Sequence, residues 1–264
     1  MIIDAHTHVN NEKKYEEYFA KAKGKVEKLF SLFYFSNNLA ELLEFAATKD
    51  NLFIIGSIDT DGNIESQLQN CEKLFQEKKI YGIKLYPGYQ YFYPSDEKIQ
   101  PIAKLCQKYN KPLIFHSGDV YSPDNKAILK YSHPIHIDEL AVNFPECQIV
   151  ISHFGFPYFL ETANVVSKNK NVYTDISGTI DETDGGKKEA KKMRDQYLND
   201  LIRVFNYFPD IKQKIMFGTD FGGEQTPLNL VNPYIDLVNK LFAKKERESV
   251  FHALAEKIYF SVNE

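Results

Sequence analysis

Short apolar runs and longer segments with a helical rhythm alternate along the whole chain. The apolar runs are too short for helices and show little alternation with polar residues, which is typical of buried β-strands. Between them, apolar residues recur every three or four positions, as at Leu39, Leu42 and Leu43 within 38–50, and this spacing predicts amphipathic helices. The pattern predicts eight strands, within 1–9, 30–36, 53–59, 80–86, 112–117, 148–153, 171–177 and 214–220.

The predicted helices lie between and after these strands. They are a short helix within 11–28, then 38–50, 63–79, 96–109, 138–144, one after the sixth strand, 195–207, and a helical tail over 228–260. Polar 118–137 and highly charged 178–194 are predicted as loops. A strand followed by a helix, repeated eight times, is the pattern of a closed parallel sheet. We therefore expect one α/β domain over residues 1–264, folded as a (β/α)8 TIM barrel.

Composition and charge narrow the classes of partner. Hydrophobic residues make up 43% of the chain, including 20 Phe and 17 Tyr, enough for a large core. The formal net charge of -4 argues against nucleic acid as the main partner. Three cysteines stand far apart, which predicts neither a disulfide framework nor a thiolate zinc site. No apolar run approaches the roughly 20 residues of a membrane span and no secretory signal is visible, so we expect a cytoplasmic protein.

The first strand carries the first candidate chemistry. Asp4, His6 and His8 are spaced two apart, so in a strand their side chains share one face. If that face is the inside of a barrel, two imidazoles converge at the carboxyl end of the strand. Half of a metal site and a pair of histidines on a half-buried strand both remain open at this point.

Polar residues at the ends of other strands change that balance. Lys84, His116, His153 and Asp220 each end an apolar run and precede a loop with Gly or Pro, in IKLYPG, FHSG, SHFG and GTDFGG. The carboxyl ends of barrel strands face the active-site mouth, so these residues are expected to meet the histidines of the first strand. Imidazoles and a carboxylate suit a divalent metal with an open position for water.

The chain resembles the amidohydrolase-2 branch of the amidohydrolase superfamily of metal-dependent hydrolases. The matching stretches are DAHTH, GIKLYP, PLIFHSGD, SHPIHIDELAVNFPECQIVISHFG, VYTDISG and MFGTDFG, spread over essentially the whole chain. The resemblance implies that His6, His8, His116 and Asp220 hold one divalent metal, zinc or alternatively manganese. It also implies that Asp220 shuttles a proton, and that His153 lies beside the attacking water and the substrate carbonyl, where a donating imidazole stabilises the oxyanion.

The roles of the residues expected to contact substrate are less narrowly defined than those of the metal ligands. Lys84, Tyr86 and His153 are expected to contact substrate, with Tyr86 in an aromatic loop after the fourth strand. The resemblance also offers a second arrangement, in which a carboxylated Lys84 bridges two metals and His153 binds the second. A third alternative is a Lys84 that holds a substrate carboxylate or forms a salt bridge. Asp175 has the parity to face inward as a further polar contact.

Three functions are compatible with these residues. The first is hydrolysis of an amide, lactone or ester bond in a small molecule by a metal-activated water. The second is metal-dependent decarboxylation of a small aromatic or unsaturated carboxylic acid. The third is a metal-binding barrel without catalysis. The sequence leaves the substrate open, and also whether the protein forms a homo-oligomer.

Overall fold

Eight parallel strands form a single sheet in a computed structural model that describes residues 1–35, 38–121, 126–180, 186–223 and 231–261. Each strand pairs with the next in chain order, from β1 to β8. The strands are β1 Ile3–Thr7, β2 Lys28–Leu32, β3 Leu52–Ser57, β4 Ile83–Leu85, β5 Leu113–Phe115, β6 Ile149–Ile151, β7 Val172–Asp175 and β8 Ile215–Met216.

Hydrogen bonds between β1 and the segment around β8 close the ring. The amide of Ala5 donates to the carbonyl of Phe217 at 2.9 Å, and that of His8 donates to the carbonyl of Phe221 at 2.7 Å. The predicted (β/α)8 barrel is therefore confirmed, with strands shorter than the apolar runs that predicted them. As a result, His116, His153 and Asp220 lie one, two and four residues beyond the last residues of β5, β6 and β8.

Helices follow the strands around the outside of the barrel. They are α1 Glu12–Ala22, α2 Leu39–Ala46, α3 Ile64–Gln76, α4 Gln100–Lys108, α5 Leu129–Ser132, α6 Ile137–Asn143, α7 Phe159–Lys168, α8 Gly186–Tyr207, α9 Val231–Leu241, α10 Lys244–Glu248 and α11 Leu254–Tyr259. Asparagine side chains cap the first three, as Asn11 does by accepting from the amide of Lys14 at 3.0 Å. No helix in the described ranges has the length and apolar character to cross a bilayer.

Three predicted segments differ from the structure. Helix α8 begins at Gly186, inside the stretch predicted as a charged loop, because lysine, glutamate and alanine favour a helix despite their charge; residues 181–185 lie outside the described ranges. The predicted tail helix is divided into α9, α10 and α11 with a break at Phe242 and Ala243, while 228–230 are not described. The polar loop predicted over 118–137 contains α5 and a 3₁₀ turn at Pro134–His136.

The core has two layers, and helix α11 packs against the inner layer at one end of the barrel. Alternate strand residues such as Ile3, Phe30 and Ile114 fill the barrel and pack against α11. Phe30 stacks on Tyr259 with ring centroids 4.3 Å apart. Because Lys28, the first residue of β2, lies 3.6 Å from Glu256 of α11, this helix covers the amino-terminal end. The carboxyl end remains for the site.

Candidate active site

A cavity of about 1050 Å³ opens at the carboxyl ends of the strands. The structure brings every predicted site residue to its wall. These residues are His6, His8, Lys84, Tyr86, His116, His153 and Asp220. They come from five strands and the turns that follow them, so only closure of the barrel places them together.

The tightest group joins β1 to the turn after β8. Nε2 of His6 lies 3.3 Å and Nε2 of His8 lies 3.2 Å from Oδ1 of Asp220. Nδ1 of His6 lies 3.0 Å from Oδ2 of Asp175. Nδ1 of His8 lies 3.0 Å from the carbonyl oxygen of Leu32. Because a carboxylate and a carbonyl only accept, both Nδ1 atoms carry protons, and in the neutral rings Nε2 presents a lone pair.

This group fits a divalent cation. Burial lowers the pKa of His6, so its ring is neutral near pH 7. Within the described residues, Nε2 of His6 is buried and forms no hydrogen bond. Burial alone raises the pKa of the Asp220 carboxyl, but the surrounding histidines hold it well below its usual range. A lone pair therefore faces a carboxylate, and a shared cation would replace that repulsion with attraction; two imidazoles and a carboxylate are ligands that zinc accepts.

Two residues of the site, His153 and Asp220, have an unusual backbone conformation. His153 and Asp220 have φ angles of 61° and 64°, in the left-handed region that residues other than glycine rarely adopt. The turn at Asp220 is held by its amide, which donates to the carbonyl of His6 at 2.7 Å. Buried Asp4 adds to this hold, because it accepts from the amide and the hydroxyl of Thr219 at 3.1 and 2.7 Å.

His116 lies next to this group rather than within it. Its ring centroid is 5.0 Å from that of His153, and its Nε2 donates to the carbonyl oxygen of Asp119 at 2.8 Å. Two clusters of three metal-competent side chains occur in the described ranges, and His116 belongs to neither. Because Nε2 carries the proton in this bond, Nδ1 is the nitrogen with a lone pair.

Lys84 and Tyr86 lie side by side on the cavity wall. Lys84 is fully buried, and its ammonium donates to the hydroxyl of Ser152. Burial lowers the pKa of Lys84 to about 8, against the opposing effect of Asp175 and Asp220. The hydroxyl of Tyr86 donates to the carbonyl of Phe33 at 2.9 Å, so its ring rather than its hydroxyl is presented to a ligand.

The second cluster consists of His6, His153 and Asp175. Sequence reasoning placed Asp175 inward without assigning it a role, and it missed Ser177, whose hydroxyl contacts all three of these residues. The signal that could have found them is Asp-x-Ser-Gly, which begins at the last residue of a strand that ends at the barrel mouth.

A protein-family model matches most of this chain, whereas the curated relative matches a short part of it. A family model described as Amidohydrolase (Amidohydro_2) matches residues 14–260. Among curated proteins, Protein fluG of Emericella nidulans is 36% identical over 74 residues, which are 28% of this chain and 8% of that protein. The matched region thus spans less than a tenth of that relative.

Solved structures share the fold at low identity. A probable 2-pyrone-4,6-dicarboxylic acid hydrolase from Acinetobacter baumannii, with citric acid bound, has a TM-score of 0.71 at 14% identity, covering 98% of this chain and 99% of that one. An amidohydrolase from Burkholderia multivorans with bound zinc has a TM-score of 0.68 at 15% sequence identity, and the match covers 98% of this chain and 99% of that one. A 5-carboxyvanillate decarboxylase from Novosphingobium aromaticivorans, in complex with manganese and a nitrobenzoic acid, has a TM-score of 0.65 at 14% sequence identity. The match covers 95% of this chain and 80% of that one.

Proposed function

Because the chain belongs to the amidohydrolase family, whose model matches residues 14–260, we propose that this enzyme hydrolyses an amide, lactone or ester bond of a small molecule with the help of one divalent metal. One observation carries the proposal. Two imidazole nitrogens, from His6 and His8, lie 3.3 and 3.2 Å from the same carboxylate oxygen of Asp220. That convergence leaves a place for a cation beside an open cavity.

His6, His8 and Asp220 are the proposed metal ligands, and His116 is the fourth through Nδ1. Zinc is the first choice and manganese the alternative, since relatives of the same fold hold either metal. When bound, such a cation supplies Lewis acidity, which lowers the pKa of water to about 7 and polarises a carbonyl. Asp175 and the Leu32 carbonyl accept from Nδ1 of His6 and His8, so that Nε2 of each ring would be available to hold the metal.

The remaining roles fall to residues around the metal position. Asp220 is ionised at neutral pH, so its carboxylate can take a proton from the attacking water and return it to the leaving group. His153 stands beside the reacting carbonyl. Lys84 and the ring of Tyr86, 5.6 Å from the lysine ammonium, form the wall against which substrate is held. Lys84 is proposed to act unmodified, because its ammonium already donates to Ser152.

Decarboxylation of a small aromatic or unsaturated acid is the second candidate. The cavity wall that favours it combines the Lys84 ammonium with the rings of Tyr34, Tyr86 and Tyr89. The Tyr34 and Tyr86 rings are 4.7 Å apart, and a buried cation beside aromatic faces suits a planar carboxylate. The same metal ligands would serve this reaction.

Metal content and product release test the proposal together. Protein purified without chelator, in buffer with bicarbonate, is expected to hold about one metal per chain by elemental analysis, since the four proposed ligands form a single set. The His6→Ala variant should lose the metal. The control is His252→Ala, which should keep the metal, because His252 lies outside the cavity with its Nδ1 3.3 Å from Oε2 of Glu256. About two metals per chain would favour the bridged arrangement with carboxylated Lys84.

A substrate screen separates the two reactions. Lactones, amides and esters are assayed for acid release, and carboxylated aromatics for release of CO2. Acid release that depends on added zinc or manganese supports hydrolysis. Release of CO2 alone favours the second candidate, and activity that survives complete metal removal contradicts both.

A further inference from the structure

The last residue of β7 and the turn after it contact two histidines of the site at once. The sequence of this segment is Asp175-Ile176-Ser177-Gly178. Oδ2 of Asp175 lies 3.0 Å from Nδ1 of His6. The hydroxyl oxygen of Ser177 lies 2.9 Å from Nδ1 of His153 and 3.1 Å from Nδ1 of His6. This segment therefore reaches the Nδ1 edge of both rings.

The direction of each hydrogen bond follows from the chemistry of the partners. Ser177 has one hydroxyl proton, and it donates that proton to Oδ1 of Asp175, which can only accept. The lone pairs of the Ser177 oxygen then remain for His153, so Nδ1 of His153 must be the donor at 2.9 Å. His6 donates to the other carboxylate oxygen. Asp175 thus orients His6 directly and His153 through Ser177.

The backbone and Gly178 hold the His153 ring in the same position. The amide of His153 donates to Oδ1 of Asp175 at 3.0 Å. A Cβ atom at position 178 would lie 2.4 Å from Nδ1 of His153, so only glycine leaves room for the ring. Glycine also accommodates the φ of +72° at this position. The ring is confined on its Nδ1 edge, which leaves the Nε2 edge for the cavity that His153 lines.

We propose that Ser177 is a positioning residue that fixes His153 in the Nδ1–H tautomer, so that Nε2 faces the cavity as an unprotonated acceptor. His153 then accepts a proton or a ligand in the resting enzyme, instead of donating to an oxyanion as the family resemblance implies. This inference deepens the proposed function and rests on it for its consequence, although the tautomer can be measured separately.

Long-range ¹H–¹⁵N NMR correlation of ¹⁵N-histidine-labelled, metal-free protein at pH 7.5 measures the tautomer directly. His153→Gln assigns the His153 signals by their disappearance. We expect Nδ1 protonated and Nε2 unprotonated in the wild type. Ser177→Ala should convert His153 to a mixture of tautomers or to the Nε2–H form while His6 stays unchanged. Asp175→Asn should alter both histidines, and it carries the test if Ser177→Ala does not fold.

Ser31→Ala is the matched control. Ser31 is fully buried in β2, and within the described residues its hydroxyl has no hydrogen-bond partner, so its removal should leave the His153 signals unchanged. An Nε2–H tautomer or an imidazolium in the wild type would overturn the proposal, and so would a tautomer that neither Ser177→Ala nor Asp175→Asn alters. Since neither substrate nor metal is present, a negative result here leaves the hydrolase proposal intact, and a failed substrate screen leaves the tautomer result intact.

Discussion

Replacement of Lys84 by methionine is expected to stabilise the protein at neutral pH while abolishing its activity. The side chain is fully buried, and burial lowers the pKa of its ammonium from 10.5 to about 8. A displacement of that size corresponds to about 3 kcal/mol of lost folding stability below pH 8. Methionine has a similar length and removes this penalty, but it leaves the Ser152 hydroxyl without its partner, which costs about 1 kcal/mol. The net gain is therefore about 2 kcal/mol.

The pH dependence gives the prediction its sign. Between pH 8 and 10.5 the unfolded chain retains the Lys84 proton that the folded protein releases, so wild-type stability from this group rises with pH. The penalty is fully present below pH 8 and disappears above 10.5. The advantage of Lys84→Met over the wild type should accordingly be largest at pH 7 and shrink as the pH approaches 10.

Urea denaturation of metal-free protein in CO2-free buffer, at pH 7 and pH 9.5, measures both quantities. In a thermal melt of the same samples, 2 kcal/mol corresponds to a rise in Tm of roughly 4–8 °C for a chain of this size. Lys104→Met is the control, because Lys104 is exposed on α4 and its removal should change stability little at either pH. A Lys84→Met protein that is less stable than the wild type at pH 7, or whose advantage is the same at both pH values, would refute the burial penalty assigned to Lys84.

Three other substitutions test the site. Gly178→Ala should destabilise the fold by about 1–3 kcal/mol and reduce turnover, because the added Cβ would lie 2.4 Å from Nδ1 of His153. The control is Gly24→Ala, which has a similar φ of +73° and open space around its Cβ, so it should destabilise the fold less and keep turnover. Equal effects of the two substitutions would contradict the close approach of Gly178 to His153. Asp220→Asn should lose metal and activity together, and full metal content by elemental analysis would remove Asp220 from the ligand set. His116→Asn should weaken zinc binding about tenfold or more in a competition titration, whereas unchanged affinity would show that His116 is not a ligand.

The amino-acid sequence by itself determined the barrel and the places where its chemistry appears. Eight apolar runs, each followed by a helical segment, have few ways to bury both faces of the strands, and a closed parallel sheet with helices outside is one of them. Polar residues at the ends of those runs, such as His116, His153 and Asp220, must then lie at the carboxyl end of the barrel. Their placement follows from the alternation of elements alone, so it was within reach of the sequence.

Only the tertiary structure decided which atom of each side chain faces the site. The His6 ring is oriented by Asp175, which is 169 residues away in the chain, and His8 by the carbonyl of Leu32 on the neighbouring strand. His153 and Asp220 reach the cavity through left-handed turns that no local preference of histidine or aspartate requires. Ring orientation and tautomer depend on hydrogen-bond partners that closure of the barrel brings together, and such partners leave no periodic signal along the chain.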